Sequence, residues 1–173
     1  RKSMELKEYV RDILDFPQKG IIFKDITPIL KDPEAFGYTI KILQELLKDW
    51  DFDFIVAPEA RGFLFASPLA YTMKKGLIPV RKPGKLPYKT VNISYNLEYG
   101  SAELQMHVDA LKKGDRVVIV DDVLATGGTL DAIRRMVNNV GADVEGVLCM
   151  AELGFLKGRE RLKDLKVASI LKY

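Results

Sequence analysis

Apolar positions along this chain change their period several times, and each change marks an element. Leu6, Val10, Ile13 and Leu14 recur at helical spacing and predict a first helix. Phe36, Ile40, Leu43, Leu47 and Trp50 predict a second, longer one, with Asp32 as its cap and Pro33 in its first turn. Residues 16–30 lie between the two without a clear period. They carry Pro17, Gly20 and Pro28 and predict an irregular cap. The apolar run 52–57, closed by Pro58, predicts a buried strand; 62–75 reads as a helix and 77–82 as the next strand.

In the middle the period becomes two. Val91, Ile93, Tyr95 and Leu97 alternate with polar residues, as do Ala102, Leu104, Met106 and Val108. With Glu98-Tyr99-Gly100-Ser101 between them, these runs predict an antiparallel hairpin projecting from the main sheet. Beyond it, 116–121 predicts a strand and 122–129 a loop. A helix follows with Leu130, Ile133, Val137 and Val140 on one face and Gly141 at its end. A strand over 144–151, a short helix over 156–162 and a last strand over 167–171 complete the chain. Alternating strands and helices predict an α/β fold, a central and mostly parallel sheet flanked by helices.

At 173 residues the chain suits one domain, 1–173, with one sizeable core. Apolar residues make up 47% and charged residues 29%, an ordinary globular composition. No apolar run approaches the roughly 20 residues that span a bilayer. Arg1-Lys2-Ser3-Met4-Glu5 lacks the apolar stretch of a secretory signal, and Met4 is a candidate natural start. Cys149 is the only cysteine and lies in the apolar run Val147-Leu148-Cys149-Met150, which predicts an inert core thiol and a reducing, cytoplasmic location. The formal net charge of +3 is too small for a nucleic-acid footprint, so an anionic ligand would need a local site.

One stretch supplies such a site. Val117-Val118-Ile119-Val120 is a buried strand, Asp121-Asp122 sits at its carboxyl end, and Ala125-Thr126-Gly127-Gly128-Thr129 leads into a helix. Glycines let the backbone turn its amides inward, threonines add hydroxyls, and the helix amino end attracts anions, so the loop suits a phosphate monoester. Two carboxylates are wrong for phosphate but right for a diol, or for a metal carrying one. Together they describe a phosphorylated sugar with free ring hydroxyls, such as ribose 5-phosphate. No GxxxxGK[ST] loop and no GxGxxG fingerprint occurs.

This stretch resembles the phosphoribosyl pyrophosphate signature of type I phosphoribosyltransferases. Residues 16–28, Pro58-Glu59-Ala60-Arg61-Gly62-Phe63, 81–87, Tyr95-Asn96-Leu97-Glu98-Tyr99-Gly100 and Leu156-Lys157-Gly158-Arg159-Glu160 extend the resemblance over nearly the whole chain and toward the adenine-using branch. The resemblance implies the type I fold, with a small amino-terminal hood mainly over 16–30 and a flexible hairpin lid at about 90–108. It implies purine salvage: transfer of the phosphoribosyl group to adenine, giving AMP and pyrophosphate, with Mg²⁺ bound through the substrate and no metal ligand of the protein itself.

The same resemblance assigns residues. Ala125, Thr126, Gly127, Gly128 and Thr129 would hold the 5′-phosphate, and Asp121 and Asp122 would face the ribose hydroxyls. Arg61 would meet the pyrophosphate beside the dipeptide Glu59-Ala60, which can adopt a cis bond in the family. Arg81, Lys82 and Lys85 would reach pyrophosphate across a homodimer interface. Glu98 would approach adenine nitrogen-7 while Tyr99 helps to close the lid. Ile22, Lys24 and Leu153 would line the base pocket; family members often have Arg at the position of Lys24, and lysine lacks the planar fork. His107, the only histidine, reads as a hairpin residue. Other readings are a transferase for a different base, against which the 96–100 hairpin stands, a ligand sensor with a DNA-binding module, for which there is no length, and a scaffold, which leaves the acids and glycines unexplained.

Overall fold

The computed structural model describes residues 3–97 and 100–173. The chain divides into two compact units, Arg1–Glu45 and Leu46–Tyr173.

The first unit differs from the predicted helix and irregular cap. Leu6–Tyr9 is a single 3-10 turn, and Arg11–Leu14 is a strand, β1, paired antiparallel with β2 (Ile22–Asp25). The four apolar residues that mimicked a helical period are too few to separate helix from strand, and the chain adopts the hairpin, in which charged residues pair across the strands. Arg11 faces Asp25 at 3.0 Å and Lys24 faces Asp12 at 2.7 Å. The 16–30 segment likewise holds β2 and a short helix, α1 (Thr27–Lys31). Asp25 accepts hydrogen bonds from the Thr27 amide at 3.0 Å and its hydroxyl at 2.8 Å, turning the strand into the helix. α2 (Pro33–Leu47) forms as expected: the Asp32 carboxylate accepts from the amides of Glu34 at 2.9 Å and Ala35 at 3.2 Å.

The second unit is built on five parallel strands: β3 (Phe54–Pro58), β4 (Gly76–Val80), β7 (Arg116–Leu124), β8 (Asp143–Glu152) and β9 (Lys166–Lys172), in the order β4-β3-β7-β8-β9. Ile55, Val56 and Ala57 on β3 and Val117 to Val120 on β7 are buried on both faces, as parallel strands covered by helices require. α3 (Arg61–Met73) packs on β3, β4 and β7, and α4 (Gly128–Asn139) on β7 and β8. Chain direction through the sheet reverses between these two crossovers, so right-handed connection puts the helices on opposite faces.

The middle runs form the predicted hairpin, β5 (Thr90–Asn96) and β6 (Ser101–His107), with Ile93 opposite Leu104 and Val91 opposite Met106. It does not stand free along its length. Leu104 and Met106 are buried, Val91, Ile93 and Tyr95 pack on the same core, and β5 lies against α4.

Two local expectations change. β7 continues through Asp121 and Asp122 to Leu124, because Val123 and Leu124 stay in the ladder opposite Ala151 and Glu152. The loop is therefore shorter than 122–129. The helix expected over 156–162 is instead two 3-10 turns, Gly154–Leu156 and Gly158–Leu162, separated by Lys157 in the left-handed region at φ 56°. Cys149 is buried in β8, where burial pushes its thiol well above the usual range.

Candidate active site

β3 and β7 are sheet neighbours from which the chain departs in opposite directions, β3 by α3 to β4 and β7 by α4 to β8. Loops leaving such a pair separate and open a crevice at the carboxyl ends of the strands. The acids, the glycine-threonine loop and Arg61 all lie at this crevice.

Asp121 and Asp122 are neighbours in sequence but have different surroundings. Asp122 is buried, its Oδ1 accepting the Val123 amide at 2.8 Å and its Oδ2 2.7 Å from Arg61 Nε, the first residue of α3. Asp121 is half-buried and accepts the Asp122 amide at 2.8 Å. Burial first, and then the adjacent charge of Asp122, push the Asp121 carboxyl well above its ordinary 3.8. Gly62 makes this closeness possible: a β-carbon there would stand 3.1 Å from Asp121 Oδ1 and 3.2 Å from the Val120 carbonyl oxygen.

Past Leu124 the chain turns at Gly127, with φ 86°, directly into α4. The turn encloses a cavity of about 90 Å³ lined by Asp121, Val123, residues 125–129 and Leu130. That is room for a phosphate group at the amino end of a twelve-residue helix. Asp121 shares this lining; Asp122 does not, being turned toward Arg61.

Sequence reasoning missed two supports of this loop. Tyr95 Oη lies 3.2 Å from Thr129 Oγ1, tying the hairpin to the loop; in sequence Tyr95 is only one more apolar position of β5. The second support is the 154–162 segment. Leu153 donates its amide to the Leu124 carbonyl at 3.0 Å. Arg159 grips the buried carboxylate of Glu152 with Nε at 2.6 Å and Nη2 at 2.9 Å, and Ser169 Oγ adds 2.7 Å. These contacts, the Arg159 hydrogen bond foremost, hold the Glu152 carboxyl below its usual range.

Glu59, Ala60, Arg81 and Lys82 form a neighbouring cluster. The Glu59-Ala60 peptide is cis. Glu59 Oε1 accepts the Lys82 amide at 2.9 Å and Arg81 Nε at 3.1 Å, and the Lys82 bond is the main reason its carboxyl sits below the ordinary range. The side chain of Glu59 thus joins the loop after β3 to the segment after β4, while Lys82 and Lys85 are exposed. Ile22 and Lys24 lie on β2 in the first unit and Leu153 lies in the second; their assignment to the base rests on the resemblance. Glu98 and Tyr99 lie outside the described residues. Among the described residues, no group of three or more His, Cys, Asp or Glu is arranged to hold a metal ion, and no helix is long and apolar enough to cross a membrane.

A family model for the phosphoribosyl transferase domain matches residues 26–171. The chain belongs to the phosphoribosyltransferase family. It is 59% identical over 170 residues to the adenine phosphoribosyltransferase of Petrotoga mobilis, covering 98% of each chain. Its structure matches the crystal structure of the Thermoanaerobacter pseudethanolicus adenine phosphoribosyltransferase with a TM-score of 0.95 at 52% identity, over 97% of this chain and 98% of that one. It also matches the Saccharomyces cerevisiae adenine phosphoribosyltransferase, complexed with adenine and D-2,5-dideoxy-2,5-imino-altritol 1,6-bisphosphate, with a TM-score of 0.86 at 36% identity over 96% and 95% of the two chains. The parallel sheet with its helices and antiparallel hairpin is the type I phosphoribosyltransferase fold.

Proposed function

We propose that this phosphoribosyltransferase transfers the 5-phosphoribosyl group from phosphoribosyl pyrophosphate to adenine, forming AMP and pyrophosphate in purine salvage. The observation that carries the reading is the acid pair joined to a glycine-threonine turn at the β3/β7 crevice, with its phosphate-sized cavity. Near-full-length identity to adenine phosphoribosyltransferases supports adenine as the base.

The residues divide the work. Ala125, Thr126, Gly127, Gly128 and Thr129 hold the 5′-phosphate with amides, hydroxyls and the α4 amino end. Asp121 faces the ribose hydroxyls. Its raised carboxyl is under like-charge pressure that diol donors or a divalent cation would relieve. Mg²⁺ would be held through the substrate's own oxygens while keeping several of its waters, so the protein supplies no ligand of its own. When bound with the substrate, Mg²⁺ supplies charge neutralisation for the leaving pyrophosphate. Arg61 presents its guanidinium at the same place, held ready by Asp122. Positive charge grows on the sugar as its bond to pyrophosphate lengthens, and the negative field of Asp121 and Asp122 favours that charge in a dry site. Adenine nitrogen-9 attacks the opposite face, and Glu98 accepts or shares a purine proton. Ile22, Lys24 and Leu153 contact the base.

Arg81, Lys82 and Lys85 reach the pyrophosphate of a neighbouring subunit, so the working form is a homodimer. Tyr99 and the hairpin tip close over the site to exclude water, while the packed body of β5 and β6 stays in place. The residues 16–30 act as a hood within a single functional domain, 1–173. The enzyme works in the cytoplasm, where its thiol stays reduced.

Purified protein with Mg²⁺, phosphoribosyl pyrophosphate and a panel of bases tests this. AMP formed from adenine, with no nucleotide from guanine or hypoxanthine, is the expected result. Binding without turnover, or turnover with another base instead, overturns it.

A further inference from the structure

The cavity at residues 125–129 has a charge problem. Its lining contains no lysine or arginine, and its only ionisable member is the acid Asp121. A phosphate dianion there would meet helix amides and two hydroxyls but no side-chain cation from the loop. Dipoles and hydroxyls alone are a weak counterweight to a carboxylate in the same wall.

A cation is nevertheless beside it. A β-carbon built on Gly128 would stand 3.2 Å from Arg161 Nη1 and 3.8 Å from Thr126 Oγ1. The Arg161 guanidinium thus occupies the space over Gly128 that a side chain at that position would take. Its own Cβ would be 3.5 Å from a β-carbon on Gly127. Arg161 comes from the Gly158–Leu162 turn, which packs against α4. That turn is fixed by the Arg159–Glu152 pair and by the close approach of Gly158 to Ala125. Neighbouring arginines are committed: Arg159 to Glu152, and Arg134 to Asp131 and Asp164. Arg161 has no carboxylate within ion-pair distance among the described residues, so its charge is available to a ligand.

We propose that Arg161 is the side-chain cation of the phosphate cradle, reaching in from the Gly158–Leu162 turn to bind the 5′-phosphate of phosphoribosyl pyrophosphate and of the nucleotide product. The inference rests on the reading of residues 125–129 as the phosphate loop. Gly128 is then small for two reasons: it starts α4, and it leaves the guanidinium its place. A fork of N–H donors offers two parallel bonds to phosphate oxygens, and its turn is anchored by the Arg159–Glu152 pair.

The test compares Arg161→Gln and Arg161→Lys with the unaltered enzyme. Ribose 5-phosphate and pyrophosphate are used separately as inhibitors competing with phosphoribosyl pyrophosphate. Arg161→Gln is expected to weaken ribose 5-phosphate about tenfold, with Arg161→Lys recovering most of the loss. Pyrophosphate inhibition, the KM for adenine and the melting temperature are expected to stay as they were. Thr126→Val is measured alongside. If Thr126→Val weakens ribose 5-phosphate and Arg161→Gln does not, the role of Arg161 is overturned while the phosphate loop stands. If neither variant moves it, the phosphate-loop reading itself fails and Arg161 with it. Equal weakening of both inhibitors by Arg161→Gln also overturns the proposal, since that would mean a general disturbance of the site.

Discussion

Gly127 lies against Gly158: a β-carbon at 127 would stand 2.8 Å from the Gly158 carbonyl oxygen, and one at 158 would stand 2.5 Å from the Ala125 carbonyl oxygen. Two backbones from distant parts of the sequence touch because neither has a side chain. The turn that begins α4 is therefore shaped from behind by the 154–162 segment as well as by its own residues. Gly127→Ala adds strain at φ 86° to the collision, whereas Gly158→Ala adds the collision alone. Each is expected to cost about 1–3 kcal/mol of stability and to raise the KM for phosphoribosyl pyrophosphate more than the KM for adenine. Gly37→Ala is the control. It lies exposed in α2 with nothing within 4 Å of a new β-carbon, and should stabilise by about 0.5–1 kcal/mol. Denaturant melts and steady-state kinetics on the three variants check this; a harmless Gly158→Ala would refute the shaping role.

The Arg61–Asp122 pair joins the loops after β3 and β7 across 2.7 Å. Asp122 keeps 7% of its side chain exposed and Arg61 48%, so removing the arginine strands a buried carboxylate. Arg61→Ala should lower stability by about 1–2 kcal/mol, a figure reduced for the solvent around Arg61, and lower kcat/KM about a hundredfold. Asp122→Asn should lose activity with less change in stability, because the amide can still accept from Val123. The double variant should fall well short of the product of the single losses, since the two act as a unit. Independent, multiplying losses would count against the coupling.

Asp121 gives a prediction of opposite sign for stability and activity. Its folded carboxyl titrates well above the ordinary 3.8. A raised acid stabilises the fold below its unfolded value and loses that contribution as pH rises through the folded one. At neutral pH the charged form is thus a burden on the fold. Asp121→Asn should melt at the same temperature or higher than the wild type at pH 7.5, with the advantage disappearing toward pH 3.8, while turnover falls steeply. A variant that melts lower at pH 7.5 would contradict the assigned cause. Paired replacement with Asp122→Asn should abolish most turnover in a folded protein.

At the opposite end of the sheet, Glu145 accepts from Lys166 Nζ at 2.8 Å and from the Asp51 amide at 3.0 Å and pairs with Arg116. The Lys166 bond, with these others, draws its carboxyl down from 4.5 to about 2. A lowered acid stabilises the fold above its unfolded value and loses that stability as pH falls through the folded one. Glu145→Gln should therefore melt lower than the wild type at pH 7, and the gap should close between about 4.5 and about 2. Thermal melts across that range decide it; a gap that persists at pH 2 would assign the effect to packing instead.

The parallel core, the hairpin and the glycine turn into α4 could be read directly because each depends on a local pattern. Val117 to Val120 form a strand wherever they are buried, and Gly127 can take its positive φ without outside help. The 6–14 and 16–30 stretches fold differently from their local pattern for the same reason in reverse. Their elements are too short for a period to be distinctive, and the strand pairing, with cross-strand pairs such as Arg11–Asp25, joins residues that local sequence does not link. The end of β7 was misjudged because acids usually mark a strand's exit, whereas here β8 holds the ladder through to Leu124.

By itself the sequence determined which chemical groups are present and in what local order: two carboxylates, a flexible turn, two hydroxyls and a helix start. Only the tertiary structure decided that Asp121 and Asp122 have different surroundings, that Tyr95 touches Thr129, that Gly158 lies behind the loop and that the Arg161 guanidinium stands beside Gly128. The physical reason is range. Backbone conformation and hydrophobic period act over a few residues and are written in the chain, whereas the charge and contact felt by each group depend on which distant segments the sheet order brings beside it.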